Sequence, residues 1–169
     1  MRLSPQLSLL ALVALGAAAC VPFPGQNGPR LSCTTPSADT SGWHRVTDSS
    51  GFSFLLPAGF RENRVEPVDS HVRGFEAEGL TLSLDYGASS NDLTGPHEAS
   101  EGHLECPTRI GGRDALVVLT WPDRMAYDVD AAWRNVRPGM HLWMGGAANT
   151  PNGQRALLTV LRSVRFNQP

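Results

Sequence analysis

The chain has 169 residues, of which 41% are hydrophobic and 18% charged, and its formal net charge is -2 at pH 7. This length predicts one domain, because two sizeable cores need a longer chain. All 14 basic residues are arginine, which excludes chemistry that depends on a lysine amine. The net charge gives none of the cationic excess that phosphate binding needs, so we expect no nucleic-acid partner.

The N-terminus has the pattern of an export signal. A nine-residue run at residues 7–15, apolar apart from Ser8, is too short to span a bilayer. Ala17 and Ala19 then form an A-x-A-like cleavage pattern directly before Cys20. We therefore predict that residues 1–19 are a signal peptide and that the rest of the chain is exported.

Residues 16–20 resemble the lipobox of bacterial lipoproteins, in which small residues precede a cysteine that receives a diacylglycerol on its sulfur. The resemblance implies lipidation of Cys20, although the usual leucine three residues earlier is Ala17 here. The alternative is an ordinary signal peptide followed by an unmodified cysteine. Val21 and Pro22 follow without an acidic residue, which by resemblance to sorted lipoproteins favours the outer membrane of the cell envelope.

The cysteine count agrees with lipidation. The chain has three cysteines, and an odd thiol in an oxidising compartment is a liability. If Cys20 carries lipid, Cys33 and Cys106 remain, and we expect them to form one disulfide. The alternative is two unpaired buried cysteines.

Residues 20–42 are rich in proline, glycine, serine and threonine and lack an apolar period. This composition predicts a flexible tether that begins at the lipidated cysteine. If Cys33 is bonded to the domain, the free tether is residues 21–32, which reach at most about 40 Å when extended. The tether would then hold the folded domain, residues 43–166, close to a membrane surface.

The folded domain consists mainly of predicted β-strands. Residues 80–86 alternate between apolar and polar side chains, which is typical of a half-buried strand. Gly111 and Gly112 suit a two-residue hairpin turn. Three hairpins are predicted, each from two short runs that flank turn-forming residues: 43–47 with 52–56, 105–110 with 113–121, and 129–136 with 140–147. For residues 130–137, in the third hairpin, a short helix is the alternative.

A helix is predicted near the C-terminus. Thr150 is a suitable N-cap and Pro151 a suitable first helical residue. Arg155 and Arg162 lie off the apolar stripe, and residues 163–166 are predicted to return to an extended edge strand. The stripe consists of apolar residues at helical spacing: Leu157, Val160, Leu161 and Val164. Many antiparallel strands with one late helix predict an α+β fold.

Three segments together resemble PsbP-like domains: GFSFLLPAGF at residues 51–60, IGGRDA at 110–115 and LLTVLRSVRF at 157–166. The resemblance implies a curved antiparallel β-sheet with helices on its faces, as in extrinsic photosystem proteins, a nuclear Ran-binding protein and many bacterial lipoproteins. Where the family has a further helix, residues 61–70 contain a proline and no apolar stripe. The family has no shared catalytic motif, so the resemblance implies a binding or assembly role.

Asp69, Ser70 and His71 are the residue types of a hydrolase triad. Neighbouring residues of a strand point to opposite faces, so these three cannot line up as a relay. A polar loop is the preferred interpretation, and no catalytic residue is assigned. A hydrolase that uses His71 or His97 is kept as the alternative function.

Two clusters contain residue types that bind metal ions, but in neither cluster do the residues have the sequence spacing of a known metal site. We therefore predict no metal or other cofactor. The clusters are His97, Glu98, Glu101, His103 and Glu105 for zinc, and Asp85, Asn91 and Asp92 for calcium.

Four large aromatic residues are candidates for a ligand groove, with cross-strand packing as the alternative. They are Trp121, Tyr127, Trp133 and Trp143. Taken together, the sequence predicts a secreted lipoprotein whose α+β domain is a non-catalytic binding or envelope-assembly module. Its expected partners are the membrane, through the lipid, and a protein of the envelope.

Overall fold

The computed structural model describes residues 30–66, 69–93, 102–121 and 126–167. The predicted signal peptide, Cys20 and His97 lie outside these ranges. The described part of the chain contains no helix with the length and hydrophobicity of a membrane span. The elements are β1 (His44–Asp48), β2 (Phe52–Leu56), β3 (Arg61–Asn63), β4 (His71–Ala77), β5 (Leu80–Gly87), β6 (His103–Ile110), β7 (Arg113–Thr120), β8 (Tyr127–Arg137), β9 (Met140–Ala148), α1 (Pro151–Arg162) and β10 (Arg165–Phe166).

The strands form two antiparallel sheets. The large sheet has the order β3-β4-β5-β9-β8-β7-β6, and the small sheet has the order β1-β2-β10. Helix α1 contacts β8, β9 and β2, so the helix and the small sheet cover one face of the large sheet. The core between these layers includes the buried side chains of Phe54, Leu84, Trp133, Leu142 and Leu161. The predicted α+β fold with a C-terminal helix is confirmed, with the strands divided between two sheets.

The three predicted hairpins are present, as β1–β2, β6–β7 and β8–β9. Gly111 and Gly112 have φ angles of 62° and 81°, which is the conformation of a type I′ turn. Residues 130–137 belong to β8, so the alternative of a short helix is wrong. The reason is the alternation of buried Val129, Ala131 and Trp133 along the strand, a period that a helix cannot place on one face.

Helix α1 begins as predicted. The Thr150 hydroxyl accepts a hydrogen bond from the Gly153 amide at 3.1 Å, which satisfies one free donor of the first turn. The fully buried Gln154 side chain donates to the carbonyls of Thr120 and Asp128 at 3.0 and 2.7 Å. These bonds fix the start of the helix over the ends of β7 and β8. All four residues of the predicted stripe are fully buried.

Residues 30–42, here called the N-terminal strap, lie against the domain although they were predicted as part of a tether. Cys33 and Cys106 form the predicted disulfide, with Cα atoms 5.4 Å apart. The two arginines predicted to lie off the helix stripe bind this strap. The bonds run from Arg162 to the carbonyl of Cys33 (2.8 Å), from Arg155 to the carbonyl of Pro36 (2.9 Å), and from the Ala38 amide to the Thr159 hydroxyl (2.8 Å).

Candidate functional site: a cleft between the two sheets

A cleft of about 510 Å³ opens where the small sheet meets one end of the large sheet. Its volume lies within the range of small-molecule sites. We call it the inter-sheet cleft. Its walls include Phe52, Tyr86, Arg113, Asn135, Arg137 and Phe166.

Aromatic rings form the apolar wall of the inter-sheet cleft. Phe52 lies between Tyr86 and Phe166, with ring centres 6.3 and 6.4 Å away. Trp133 contacts Phe166 edge-on at 6.0 Å from deeper in the core. Aromatic pairs at these distances and tilts attract each other. Phe52 and Trp133 are buried while Phe166 is only partly buried, so a packed aromatic cluster reaches the surface through Phe166.

Two arginines line the same cleft. Arg113 is the first residue of β7, and its guanidinium carbon lies 5.0 Å from the centre of the Phe166 ring, a cation–π geometry. Arg137 is the last residue of β8 and lies beside Gly51. A methyl group at Gly51 would come within 3.1 Å of an Arg137 guanidinium nitrogen. The glycine therefore leaves space for the Arg137 side chain.

An irregularity in β8 determines where Arg137 lies. The β8–β9 pairing shifts between Trp133 and Arg137, so residues 134–136 face only His141. In this region β8 has two residues more than β9. Because two residues make one full repeat of a strand, Arg137 lies on the same face of the sheet as Trp133. Asn135 adopts a left-handed φ of 52° there, a conformation that asparagine tolerates better than most residues. Such bulges bend a strand and redirect its side chains.

The inter-sheet cleft is electropositive. Within the described ranges the guanidinium groups of Arg113 and Arg137 have no hydrogen-bonded or ionic partner, and no acidic side chain of those ranges lines the cleft. Arg73 and Arg109, by contrast, both pair with carboxylates. Two guanidinium groups that no carboxylate of the described ranges neutralises can bind an oxyanion, since each offers several N–H donors in a planar fork.

A second, more open cavity of about 790 Å³ shares Ser50 and Tyr86 with the inter-sheet cleft. His71 lines it, with Nε2 3.0 Å from Oδ2 of the buried Asp48. Arg73 donates to the same oxygen at 3.0 Å. His71 belongs to β4 of the large sheet, so it pairs with an acidic residue of the other, small sheet.

Asp48 is ionised because its hydrogen bonds outweigh its burial. Burial raises the pKa of the Asp48 carboxyl, but donors from Ser50, His71 and Arg73 together bring it below the ordinary value. The hydrogen bond from Arg73 also lowers the pKa of Glu62. The resulting network joins β1 to β3 and β4, and so connects the two sheets beside the cleft.

The four aromatic residues predicted to form a groove do not lie together. Trp133 and Tyr127 are buried in the main core. Trp143 lies on the opposite face of the large sheet, because it pairs with Ala132 while Trp133 pairs with Leu142. Trp121 lies at the far end of β7 under the Arg30 guanidinium, 5.3 Å from its ring centre. Side chains alternate between the two faces of the sheet along β8 and β9, so Trp133 and Trp143 lie on opposite faces.

The residues considered as metal ligands have other contacts. His103 lies 3.5 Å from Glu105, and Asp92 lies 3.7 Å from Arg134. The Asn91 side chain accepts from the Leu93 amide. Asp85 accepts from Ser90 only through its backbone carbonyl, and its carboxylate oxygen Oδ1 is buried without a hydrogen-bond partner among the described residues. The described ranges contain no group of three His, Cys, Asp or Glu residues able to hold a metal ion. His97, Glu98 and Glu101 lie outside those ranges.

Sequence reasoning did not identify Arg113 and Arg137 as site residues. Each lies next to a predicted hairpin turn, and the two turns belong to adjacent hairpins. Arginines that flank the turns of neighbouring hairpins are a usable signal, because antiparallel pairing places alternate turns at the same end of a sheet.

Comparison with known proteins supports the fold. The solution structure of cyanobacterial PsbP (CyanoP) from Synechocystis sp. PCC 6803 is similar to this chain, with a TM-score of 0.52 and 16% sequence identity. The similarity covers 82% of this chain and 99% of that chain. No protein-family model and no curated protein matches this sequence. The chain has a PsbP-like fold, as the sequence resemblance implied, and β3 occupies residues where the family helix was expected.

Proposed function

We propose that this protein is an exported lipoprotein whose PsbP-like domain is a non-catalytic binding module of the cell envelope. The observation that carries the proposal is the inter-sheet cleft, where two arginines that pair with no carboxylate of the described residues lie beside packed aromatic rings. The membrane is contacted through lipid on Cys20, and the ligand or protein partner is a component of the envelope.

The disulfide and the N-terminal sequence support export. A Cys33–Cys106 bridge is typical of oxidising compartments, and residues 1–19 have the pattern of a signal peptide.

The inter-sheet cleft lies far from the start of the N-terminal strap. Arg30 contacts Trp121 at one end of β7, whereas Arg113 begins the other end. Eight residues of strand separate these ends by about 26 Å, so an anchored domain would present the cleft away from the anchor side of β7.

The lipid anchor is tested by labelling. The full chain is expressed in a bacterium that processes lipoproteins and is supplied with radiolabelled palmitate. We expect the wild-type chain to incorporate label and to enter the detergent phase on phase separation, since acyl chains give membrane affinity. Cys20→Ser should do neither, whereas Cys33→Ser should still be labelled. Intact mass that shows a free thiol at Cys20 would contradict lipidation.

The alternative is a hydrolase, and the Asp48–His71 pair is the observation that favours it, because a carboxylate orients the base of a catalytic triad. Within the described ranges, however, no serine hydroxyl is hydrogen-bonded to His71. The detergent-solubilised full chain is therefore assayed on ester, peptide and glycoside panels. We expect no turnover. Turnover abolished by His71→Ala, with the fold intact by circular dichroism, would replace the binding-module proposal with the hydrolase.

A further inference from the structure

We propose that the inter-sheet cleft binds a small organic anion, with its carboxylate or phosphate held by Arg113 and Arg137 and its apolar body against Phe166. The inference rests on the proposed function and assigns the ligand class of the binding module.

The charge of the cleft selects an anion. Arg113 and Arg137 are both in its lining, and neither is neutralised by a carboxylate of the described ranges. An arginine left without a partner beside low-dielectric aromatic surface gains from an oxyanion, because charge-assisted hydrogen bonds are stronger than neutral ones. A cationic ligand would face repulsion from both guanidinium groups. The ligand therefore carries an oxyanion, which carboxylic acids and phosphate esters have in common.

The aromatic wall selects a ligand with an apolar body. Phe166 is partly buried, and its ring is fixed by Phe52 and Trp133 on the core side. Pro138 and Val136 add apolar surface to the same lining. A cleft of about 510 Å³ is larger than an inorganic anion needs, and apolar surface contributes binding energy in proportion to the area removed from water.

The backbone around the cleft is held before any ligand arrives. Arg113 follows the type I′ turn at Gly111 and Gly112, and Arg137 ends the bulged part of β8. Neither arginine lies on a long loop, because each lies at the end of a paired strand. Groups placed on paired strands lose less conformational entropy on binding than groups on loops.

Calorimetric titration of the full chain, solubilised in a neutral detergent, tests the ligand class. The probes are 3-phenylpropionate, phenyl phosphate, inorganic phosphate and the neutral 3-phenylpropionamide. We expect saturable binding of at least one aromatic anion, and weaker or no binding of inorganic phosphate and of the amide. Tighter binding of 3-phenylpropionate would identify the ligand as a carboxylic acid, and tighter binding of phenyl phosphate would identify it as a phosphate ester. Both results support the proposal. Equal binding of the amide would overturn it.

Arginine variants test the location. Arg113→Gln and Arg137→Gln should each weaken binding of the preferred anion about tenfold or more, as loss of a charge-assisted hydrogen bond predicts. Arg64→Gln is the matched control, because Arg64 is exposed and lies outside the lining. The melting temperature of each variant verifies folding, and Arg113→Met or Arg137→Met, which also removes the charge, replaces a glutamine variant that does not fold.

The outcomes separate the inference from the proposed function. Saturable binding that both glutamine variants leave unchanged would overturn the cleft assignment while leaving a binding module in place. No binding of either aromatic anion at millimolar concentration would overturn the ligand class. Turnover on a substrate panel would contradict the proposed function itself.

Discussion

The Arg113 guanidinium carbon lies 5.0 Å from the centre of the Phe166 ring, over one face of this last ring of the aromatic cluster. Arg113 begins a strand of the large sheet, and Phe166 belongs to the short strand β10 of the small sheet. This contact therefore joins the two sheets at the mouth of the inter-sheet cleft. The wall of the cleft depends on the chain segment that immediately precedes Arg113.

Gly111→Ala should disturb this wall more than Gly112→Ala. Both glycines have positive φ, so both substitutions strain the turn. A methyl group at Gly111 would also lie 2.8 Å from the Val164 carbonyl and 3.0 Å from the Phe166 ring, whereas one at Gly112 meets nothing within 4 Å. We expect Gly111→Ala to cost about 1–3 kcal/mol more in unfolding free energy, as overpacking does. Equal denaturation midpoints for the two variants would contradict the close packing of β10.

The Asp48 carboxylate should make stability depend on pH in acid. Its pKa is lower in the folded protein than in the unfolded chain, so its contribution is full above the unfolded value of about 3.9 and declines as pH falls through the folded value. Asp48→Asn should cost about 1.5 kcal/mol or more at pH 7. The difference in melting temperature from wild type should shrink below about pH 4.

Asp69→Asn is the control for the Asp48 prediction. Asp69 is an exposed carboxyl that lines the same open cavity as His71, and a surface substitution of this kind changes stability by about 0.5 kcal/mol or less. A melting-temperature difference for Asp48→Asn that stays constant between pH 7 and pH 3 would show that the carboxylate does not contribute through its charge.

The buried face of α1 predicts a large loss for Leu161→Ala. Leu161 is fully buried between the sheets, so its truncation should cost about 2–5 kcal/mol through lost apolar burial and a cavity. Asn152, also in α1, is exposed, and Asn152→Ala should change stability by about 0.5 kcal/mol or less. Chemical denaturation of both variants measures the difference. Similar losses would mean that the helix presents another face to the core.

The disulfide should stabilise the domain and hold the strap. The double variant Cys33→Ser/Cys106→Ser removes a bridge between residues 73 positions apart, which the chain-entropy relation values at up to about 4 kcal/mol. Chemical denaturation should show this loss, and amide hydrogen exchange in residues 30–42 should become faster. An unchanged denaturation midpoint with unchanged exchange would contradict a structural role for the bridge.

The sequence predicted the parts of the fold that local patterns determine. Alternation in residues 80–86 and the turn glycines after Ile110 indicated strands and a hairpin, and Thr150 with Pro151 indicated the helix start. These signals lie within a few residues of one another, so no tertiary information was needed.

The site was harder to predict because it depends on register. Arg113 and Arg137 are distant in sequence and line the same cleft through the β7–β8 pairing and a bulge that no local motif marks. The same alternation of faces places Trp133 in the core and Trp143 on the opposite side of the sheet. The binding of the strap by Arg155 and Arg162 was also missed, because a proline-rich segment gives no apolar period to indicate its contacts.

Two-dimensional ¹H–¹⁵N NMR of the full chain, titrated with the aromatic anion that binds more tightly, tests the central claim most directly. We predict that the side-chain Nε–H signals of Arg113 and Arg137 shift with saturation, together with the backbone amides of Gly51 and Phe166 in the same lining. Signals of Trp121, at the other end of β7, should stay in place. Shifts confined to residues around His71, or spread evenly over the domain, would contradict a ligand site between the two sheets.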